Sequence, residues 1–323
     1  MPALTHRGYL QMVKENAWGS NPGTGYVATA IQSEALKNTP KVELVKSIRA
    51  TRDGANIEVP MEFDAGGPIT FEADVEGILG LLLKGILPSE TFSDLGAGNG
   101  GSHTFVLGDT LPSFSVLINR DTTPDVTNIW QALGCTVDKL SLSCATGGLL
   151  KAVATLSAQK VAPAATGAAP TFTTQPPLAF HQAVVTVFGT MVNCKSWQLD
   201  LVGSNFSKRL AMGTRYIQQQ QPGLMNATLK TDLYFDSLAA VTAFQASTVG
   251  AIDINLLGST LGSSTRRLDL LLPTVVGKGD TPVLSGPGQE IMLPMSWDAF
   301  RSGSGSPDAL VQAILLNSQR AAY

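Results

Sequence analysis

The glycine spacing Gly96-x-Gly98-x-x-Gly101 is the pattern in this sequence that comes nearest to a known chemical motif. A dinucleotide fingerprint needs this spacing between a strand and a helix, because the helix N-terminus binds the pyrophosphate. Here a predicted helix precedes the glycines and an alternating segment, residues 103–107, follows them. We therefore interpret the glycines as a surface loop and expect no cofactor.

Histidine and serine patterns give no catalytic constellation. His6, His103 and His181 lie far apart, and none has the i, i+4 spacing of a metalloprotease helix. The sequence contains no G-x-S-x-G nucleophile elbow. We therefore expect each histidine to be a satisfied surface or core residue, and we predict that the protein is not an enzyme.

Three acidic residues, Glu72, Asp74 and Glu76, are close enough to suggest paired carboxylates for acid–base catalysis or a cation site. A helix that begins at Asp74 explains two of them, since helix N-termini attract carboxylates through free N–H groups and the dipole. We favour capping over catalysis and expect no metal.

The four tryptophans and three cysteines each have a structural and a functional interpretation. A carbohydrate-binding β-sandwich could use the tryptophans as a platform, but core anchors are the more common role. The cysteines are odd in number and form no CxxC pair, so we expect buried small hydrophobes rather than disulfides or a zinc site. These residues are Trp18, Trp130, Trp197, Trp297, Cys135, Cys144 and Cys194.

Charge and composition favour a protein that is buried against other chains. Of the 323 residues, 44% are apolar and only 15% are charged, against a usual charged fraction of about 25%. The 22 Lys plus Arg and 25 Asp plus Glu give a formal charge of −3. This balance provides no basic footprint for gripping DNA. No apolar run reaches the length of a membrane span or a signal sequence, so we expect no membrane partner.

Alternation of apolar and polar residues dominates the chain and predicts β-strands. Clear examples are residues 42–45, 57–63, 114–118 and 140–142. Asp53-Gly54 lies between the first two runs and predicts a hairpin turn. Residues 64–68, Asp-Ala-Gly-Gly-Pro, predict a second turn, after which a third strand extends to residue 73.

Two helices interrupt the strands, at 74–86 and 237–248, and each follows an alternating segment. Both halves also contain the spacing Cys-x4-Leu-x-Leu, beginning at Cys135 and Cys194. We therefore expect a mainly β protein with flanking α-helices and two related halves. The predicted order is an N-terminal arm (1–40), a first β half (41–160), an Ala/Pro/Thr-rich connector (161–180), a second β half (181–300) and a C-terminal arm (301–323).

The order of several short segments resembles the tail tube, or major tail, proteins of long-tailed phages. The resemblance covers residues 9–160, and residues 181–300 by general character. It rests on a succession of weak cues rather than on one diagnostic motif. The segments are Lys14-Glu15-Asn16-Ala17-Trp18-Gly19, residues 31–36, residues 47–54 leading into 57–63, Leu79-Gly80-Leu81-Leu82-Leu83, residues 111–116 and residues 133–140.

This resemblance implies a β-sandwich or barrel whose subunits join strands side by side into a ring with a continuous inner sheet. Rings then stack into a tube for double-stranded DNA, which passes without specific binding. We expect hexameric or pseudo-hexameric rings in the virion tail, assembled in the host cytoplasm, with the tape measure and tail terminator proteins as further partners. Exposed or apolar positions supply the candidate inter-subunit contacts: Asp53, Gly54, Gly98, Asn99, Leu310 and Ile314.

Two other classes of protein remain open. A tail terminator, a baseplate hub or a capsid decoration protein would also form closed rings. A soluble monomer that binds glycans would favour a carbohydrate-binding β-sandwich instead.

For a tube, the weakly acidic charge balance suggests a lumen that does not hold DNA. Reversal of lumen carboxylates to lysine is therefore expected to impair DNA ejection.

Overall fold

The protein is described by a computed structural model. It describes residues 8–46, 57–120, 129–164, 169–203, 207–235, 241–242, 246–279, 290–301, 303 and 307–323. Strands dominate this part of the chain, as the alternation predicts.

Within the described residues, the N-terminal half contains eleven strands and one α-helix. The helix is α1 (Leu79–Ile86). The strands are β1 (Tyr9–Lys14), β2 (Val27–Thr29), β3 (Ser33–Glu34), β4 (Lys37–Val45), β5 (Ile57–Glu72), β6 (Ser89–Asp94), β7 (Gly101–Val106), β8 (Phe114–Asn119), β9 (Ile129–Ala145), β10 (Lys151–Ala158) and β11 (Lys160–Ala164).

The C-terminal half adds ten strands and a short 3-10 turn, Phe180–Gln182. The strands are β12 (Ala183–Val187), β13 (Thr190–Val192), β14 (Cys194–Val202), β15 (Ser207–Arg209), β16 (Gln219–Gln221), β17 (Asn226–Tyr234), β18 (Val249–Leu261), β19 (Ser264–Gly279), β20 (Met292–Ala299) and β21 (Gln312–Asn317).

One antiparallel sheet connects nearly all of these strands. Its central part runs in the order β4, β5, β10, β9, β14, β17, β20 and β19. The long strand β9 belongs to two layers, because its first residues pair with β8 and β11 while its later residues pair with β10 and β14. β1 lies between β2 and β8 in the second layer.

A single large core fills the space between the layers. It contains α1, which is buried along nearly its whole length, and alternate residues of the central strands such as Leu142, Leu199 and Trp297. Trp197 and Trp297 are core residues, as are Cys135 and Cys144, which confirms the structural interpretation of these four. Cys194 and Trp18 are half-buried, and Trp130 is 36% exposed.

The predicted turn at 64–68 is wrong, because β5 runs through it without a break. Gly66 and Gly67 adopt φ values of +142° and +154°, and β5 keeps its register with β10 from Ala65 to Glu72. A Cβ on Gly67 would lie 2.1 Å from the Ala35 carbonyl oxygen. The glycine pair therefore permits close approach of neighbouring backbones inside a strand.

Gly67→Ala is expected to lower the free energy of unfolding by about 3 kcal/mol, because it combines a backbone clash with an unfavourable φ. Gly98→Ala is the matched control. Gly98 also has a positive φ, +83°, but nothing lies within 4 Å of a Cβ there, so about 1 kcal/mol is expected. Urea unfolding measures both, and equal losses would show that the contact with Ala35 is not limiting.

The first helix begins later than the predicted residue 74. Asp74 does not cap α1; its Oδ1 accepts a hydrogen bond from the Glu76 N–H, 2.8 Å away, and this closes a turn before the helix. The N-cap position is Ile78, which has no side-chain cap. Short polar side chains favour such local turns, and the turn here delays the helix. The predicted second helix falls mostly outside the described residues; residues 241–242 are helical and 246–247 form a turn.

The predicted arms and connector are partly built into the sheet. β1 and β21 are central strands rather than loose arms, since each pairs on both sides. β21 lies between β19 and β7 and so joins the two halves. The connector begins with β11, which pairs with β9. The predicted C-terminal arm thus docks on the body of its own chain through β21.

Candidate assembly surfaces

The most unusual surface is a two-stranded ribbon formed by β4 and by residues 57–64 of β5. Its register runs from Val45 opposite Ile57 to Thr39 opposite Asp64, with one irregularity. Nearly every residue of the ribbon is exposed. Six large apolar side chains are among them: Val42, Leu44, Val45, Ile57, Val59 and Met61. Isolated two-stranded ribbons are marginal in water, so this one needs an external partner.

The ribbon has apolar side chains on both faces. Because directly opposite residues share a face, Leu44 and Glu58 lie on one side, while Val59 and Glu43 lie on the other. Leu44 is 56% exposed and Val59 is 39% exposed. A ribbon with two apolar faces suits insertion against other molecules better than packing on its own body.

The base of the ribbon is held by the second half of the chain. The Phe63 N–H donates to the Arg215 carbonyl oxygen at 3.0 Å, and the Arg215 side chain donates to the Met61 carbonyl oxygen. The Arg215 guanidinium lies 4.2 Å from the centre of the Phe63 ring, and the Tyr216 ring stacks on Phe63 at 5.1 Å. These contacts position the ribbon where it leaves the sheet.

A second surface is the open face of the central sheet, which we define by one row of residues across seven strands. The row alternates with buried residues along each strand. It consists largely of hydroxyl, amide and charged side chains, with no large apolar residue. The residues are Glu72, Lys151, Ser143, Gln198, Lys230, Ser296 and Lys278.

Two lysines on the open face are paired with carboxylates. Lys139 Nζ lies 3.0 Å from Asp200 Oδ1, and Lys278 forms an ion pair with Asp298. Burial opposes ionisation of Asp200, but hydrogen bonds from Ser141 and Lys139 outweigh it and lower the pKa of the carboxyl. The open face therefore combines polar groups and paired charges with two exposed lysines, Lys151 and Lys230.

The two Cys-x4-Leu-x-Leu segments lie on neighbouring strands. Leu140 and Leu142 of β9 pair with Leu201 and Leu199 of β14 in an antiparallel register. All four leucines are fully buried. The seam between the halves is therefore a strand pair in which each half presents the same short motif to the other.

The structure places the predicted contact residues in different environments. Gly98 is exposed at the turn between β6 and β7, with open space around it. Asn99 in the same turn is engaged inside the chain, since its Oδ1 accepts from the Ser263 N–H at 2.9 Å. Leu310 and Ile314 are half-buried, and Ile314 is part of β21. Asp53 and Gly54 lie outside the described residues. Contact between these six residues and another subunit stays a prediction.

The carboxylates of Glu72, Asp74 and Glu76 do not converge on one site. Glu72 Oε1 accepts from the Gln32 side chain at 3.0 Å, whereas Glu76 Oε1 lies 2.6 Å from Arg266 Nε. Burial raises the pKa of Asp74 between them. Each carboxylate has its own structural partner. Within the described ranges, no group of three or more His, Cys, Asp or Glu side chains could hold a metal ion.

Sequence reasoning missed a buried ionic cluster around His103. The side chains of His103 and Glu90 are 0% and 1% exposed, with Nδ1 and Oε1 2.9 Å apart. His103 Nε2 faces the Gln319 carbonyl oxygen at 3.2 Å. Glu90 also accepts from the Tyr323 N–H at 3.1 Å, and Lys84 Nζ lies 3.3 Å away. The partners are up to 233 residues apart, so no local pattern could reveal them.

Comparison with known proteins identifies the family. Among the described residues, no helix has the length and apolarity to cross a membrane. A search of the curated proteins found no match. The family model described as phage tail tube protein matches residues 5–299, which includes both β halves and the seam between them. The chain therefore belongs to the phage tail tube protein family, a family of structural components of the virion tail.

Proposed function

We propose that this chain polymerises into stacked rings that form the tail tube and conduct DNA, and that it is not an enzyme. The observation that carries the proposal is the exposed ribbon. Its six apolar side chains are 36–56% exposed, and burial of such side chains drives association.

Side-by-side joining of subunits is supported by the edges of the sheet. Within the described ranges, β4 pairs only with β5, and β13 pairs only with β12. Unpaired strand edges are templates for another chain. Head-to-tail contacts made by such edges close into a ring when the rotation between subunits closes.

The Cys-x4-Leu-x-Leu spacing that occurs in both β halves supports a pseudo-hexameric ring of three chains. On this proposal one chain supplies two ring units, and three chains supply six. Mass measurement of isolated rings tests the number, and a ring of six chains would contradict it.

The open face is the proposed wall of the conduit. It presents hydroxyl and amide groups, and carboxylates offset two of its lysines, Lys139 and Lys278. A DNA conduit needs this balance, because every lysine that neutralises a phosphate adds affinity and slows passage.

Electron microscopy of the concentrated, purified protein tests the assembly. Long hollow tubes are the expected result. Single closed rings that do not stack would favour a tail terminator, a baseplate hub or a decoration protein instead. A monodisperse monomer at high concentration would contradict both, and glycan binding by that monomer would support the sandwich module.

Charge reversal on the open face tests the conduit. Asp298→Lys is expected to slow or reduce DNA ejection from assembled phage, because it adds a cation to the proposed wall. Asp298→Asn is the matched control: it removes the same ion pair with Lys278 without adding positive charge, so ejection should remain near the parent level. Fluorescence of released DNA after receptor triggering measures both. Equal ejection by the two variants would place Asp298 away from the DNA path.

Further partners follow from the same proposal. A tape measure protein would occupy the lumen during assembly, and a terminator would cover the last ring. The proposed contacts between subunits or rings are the ribbon and the residues Asp53, Gly54, Gly98, Asn99, Leu310 and Ile314.

A further inference from the structure

We propose that a small cavity at the end of the β9–β14 seam is the receptor for the ribbon of a second copy of this chain. The inference rests on the proposed stacking of rings and names the surface that receives the ribbon. The cavity has a volume of about 220 Å³. It is lined by apolar side chains such as Phe180, Val184 and Met191 and by polar ones such as Thr146, Asn193 and Lys195.

The size and lining of the cavity suit side chains rather than a ligand. Small-molecule pockets usually have about 300–1,000 Å³, so this cavity is too small for most cofactors. Its rim is apolar and open: Met191 is 71% exposed, Phe180 40% and Val184 37%. These properties suit a cavity that receives one or two aliphatic side chains.

Trp197 provides an independent sign that the cavity is incomplete. The residue is 5% exposed, and its indole N–H is buried without a hydrogen-bond partner among the described residues. Buried donors are rarely left unpaired in a complete structure. Trp297, the other buried tryptophan, donates to Thr231 Oγ1 at 3.0 Å. Because this N–H is closed to solvent, a backbone carbonyl of an incoming strand would accept from it only after the indole turns toward the cavity.

The ribbon and the cavity lie at opposite ends of the sheet. β5 pairs with β10 from Glu72 opposite Lys151 to Ala65 opposite Ala158. The ribbon continues past the Ala158 end for eight more residues, roughly 25 Å at the usual rise per residue. The cavity is at the other end, beside the turn that begins after Ala145. A second copy that is displaced along the strands, and shifted sideways by the three strand steps between β5 and β14, brings its ribbon to this cavity.

Charge supports the same occupant. Lys195 lines the cavity and is exposed, and its side chain forms no ion pair in the part of the chain that the structure describes. The ribbon has exposed carboxylates on both faces, Glu43 and Glu58. The ribbon thus combines aliphatic side chains for the cavity with carboxylates for the lysine at its rim.

Two variants that each lack one side of this contact provide the test. The ribbon variant is Leu44→Asp with Val59→Asp, and the cavity variant is Met191→Asp with Val184→Asp. All four positions are more than a third exposed, so both chains should melt near the parent temperature. Met191→Leu with Val184→Ile keeps the cavity apolar and should form tubes as the parent does.

Mixing the two variants distinguishes a complementary contact from two unrelated defects. Each variant alone is expected to give single rings and at least a hundredfold higher critical concentration for tubes. A mixture of equal parts has one intact ribbon and one intact cavity, so pairs of rings should form without longer tubes. Sedimentation velocity and electron microscopy separate these species.

Three outcomes would overturn the inference. Tubes from the cavity variant would mean that the ribbon docks elsewhere or that another segment of the same chain covers the cavity. Single rings in the mixture would mean that ribbon and cavity are not partners. Absence of assembly by the parent chain would contradict the proposed function itself, and so differs from a failure confined to the cavity.

Discussion

Chains that contain Leu44→Asp and Val59→Asp are expected to fold as the parent does and to lose tube formation. Both residues lie on the exposed ribbon, one on each face, so neither change disturbs the core. In the assembled state each side chain would contribute about 1.5–3 kcal/mol of burial, and a buried, unpaired carboxylate would oppose the contact further. A combined loss of about 4 kcal/mol per contact corresponds to roughly a thousandfold weaker association.

Pelleting of tubes as a function of protein concentration measures this effect, with thermal melting as the check on folding. Leu44→Ile with Val59→Ile is the matched control, because it keeps both faces apolar and should keep assembly. Leu257→Asp, at an exposed position outside the ribbon, controls for added charge. If the ribbon variant still forms tubes at the parent's concentration, the ribbon is not an assembly element.

Glu90→Gln is expected to produce the largest loss of stability of any change considered for this chain. His103 faces the carboxylate of Glu90 and the Gln319 carbonyl oxygen, both hydrogen-bond acceptors. Glu90 also accepts from the Tyr323 N–H and pairs with Lys84, whose side chain is 16% exposed. Removal of the Glu90 charge leaves this ammonium without its counter-ion, and breaking a buried ion pair typically costs about 3–5 kcal/mol. Denaturant unfolding near neutral pH measures the loss.

Asp308→Asn is the matched control, because the Arg301–Asp308 pair is largely exposed and should be worth less than about 1 kcal/mol. The double variant Glu90→Gln with Lys84→Gln removes both charges of the ion pair together. It should therefore recover part of the loss. Equal stability of the single and double variants would show that the two side chains are not coupled.

The pH dependence of stability provides a second readout of Glu90. Burial opposes its ionisation, but hydrogen bonds from His103 and the Tyr323 N–H, together with Lys84, lower the pKa of the folded-state carboxyl. Its contribution is therefore fully present above the unfolded-state pKa of about 4.3. It is lost as the pH falls through the lower folded-state value. Between pH 6 and pH 3, the Glu90→Gln variant should consequently lose less stability than the parent.

The contribution of Asp269 to stability changes with pH in the opposite direction. Burial raises its pKa to about 6, with Arg267 opposing and Asp253 adding to the shift. The ionised carboxyl therefore destabilises the folded chain above pH 6, and protonation relieves this as the pH falls. A measured profile of stability against pH contains the contributions of both Glu90 and Asp269. The difference between the parent and the Glu90→Gln variant gives the contribution of Glu90.

Period-two alternation was sufficient to predict the mainly β class and many strands. It could not tell which strands have a buried face. Val42, Leu44, Ile57 and Val59 alternate as a half-buried strand would, yet both faces of the ribbon are exposed. The alternation shows which side chains are apolar enough to favour burial. It does not show whether they are buried inside their own chain or against another chain.

Local signals failed where the environment of a residue depended on distant segments. Residues 64–68 have the composition of a turn, but Gly66 and Gly67 serve close packing against Leu156 and Ala35 within a continuous strand. Asp74 has the position of a helix cap, but it closes a separate turn before α1. Turn and cap preferences are local, whereas pairing with β10 is a tertiary interaction and overrides them.

By itself, the sequence determined the fold class, the repeated motif at the seam, the resemblance to tail tube proteins and the lack of a basic footprint, because these depend on composition and short-range spacing. Only the tertiary structure decided that the two motifs pair with each other, that β21 joins the halves, and that ribbon and cavity lie at opposite ends of one sheet. Those properties depend on strand order and register. They arise from contacts between residues far apart in the chain, which no local pattern encodes.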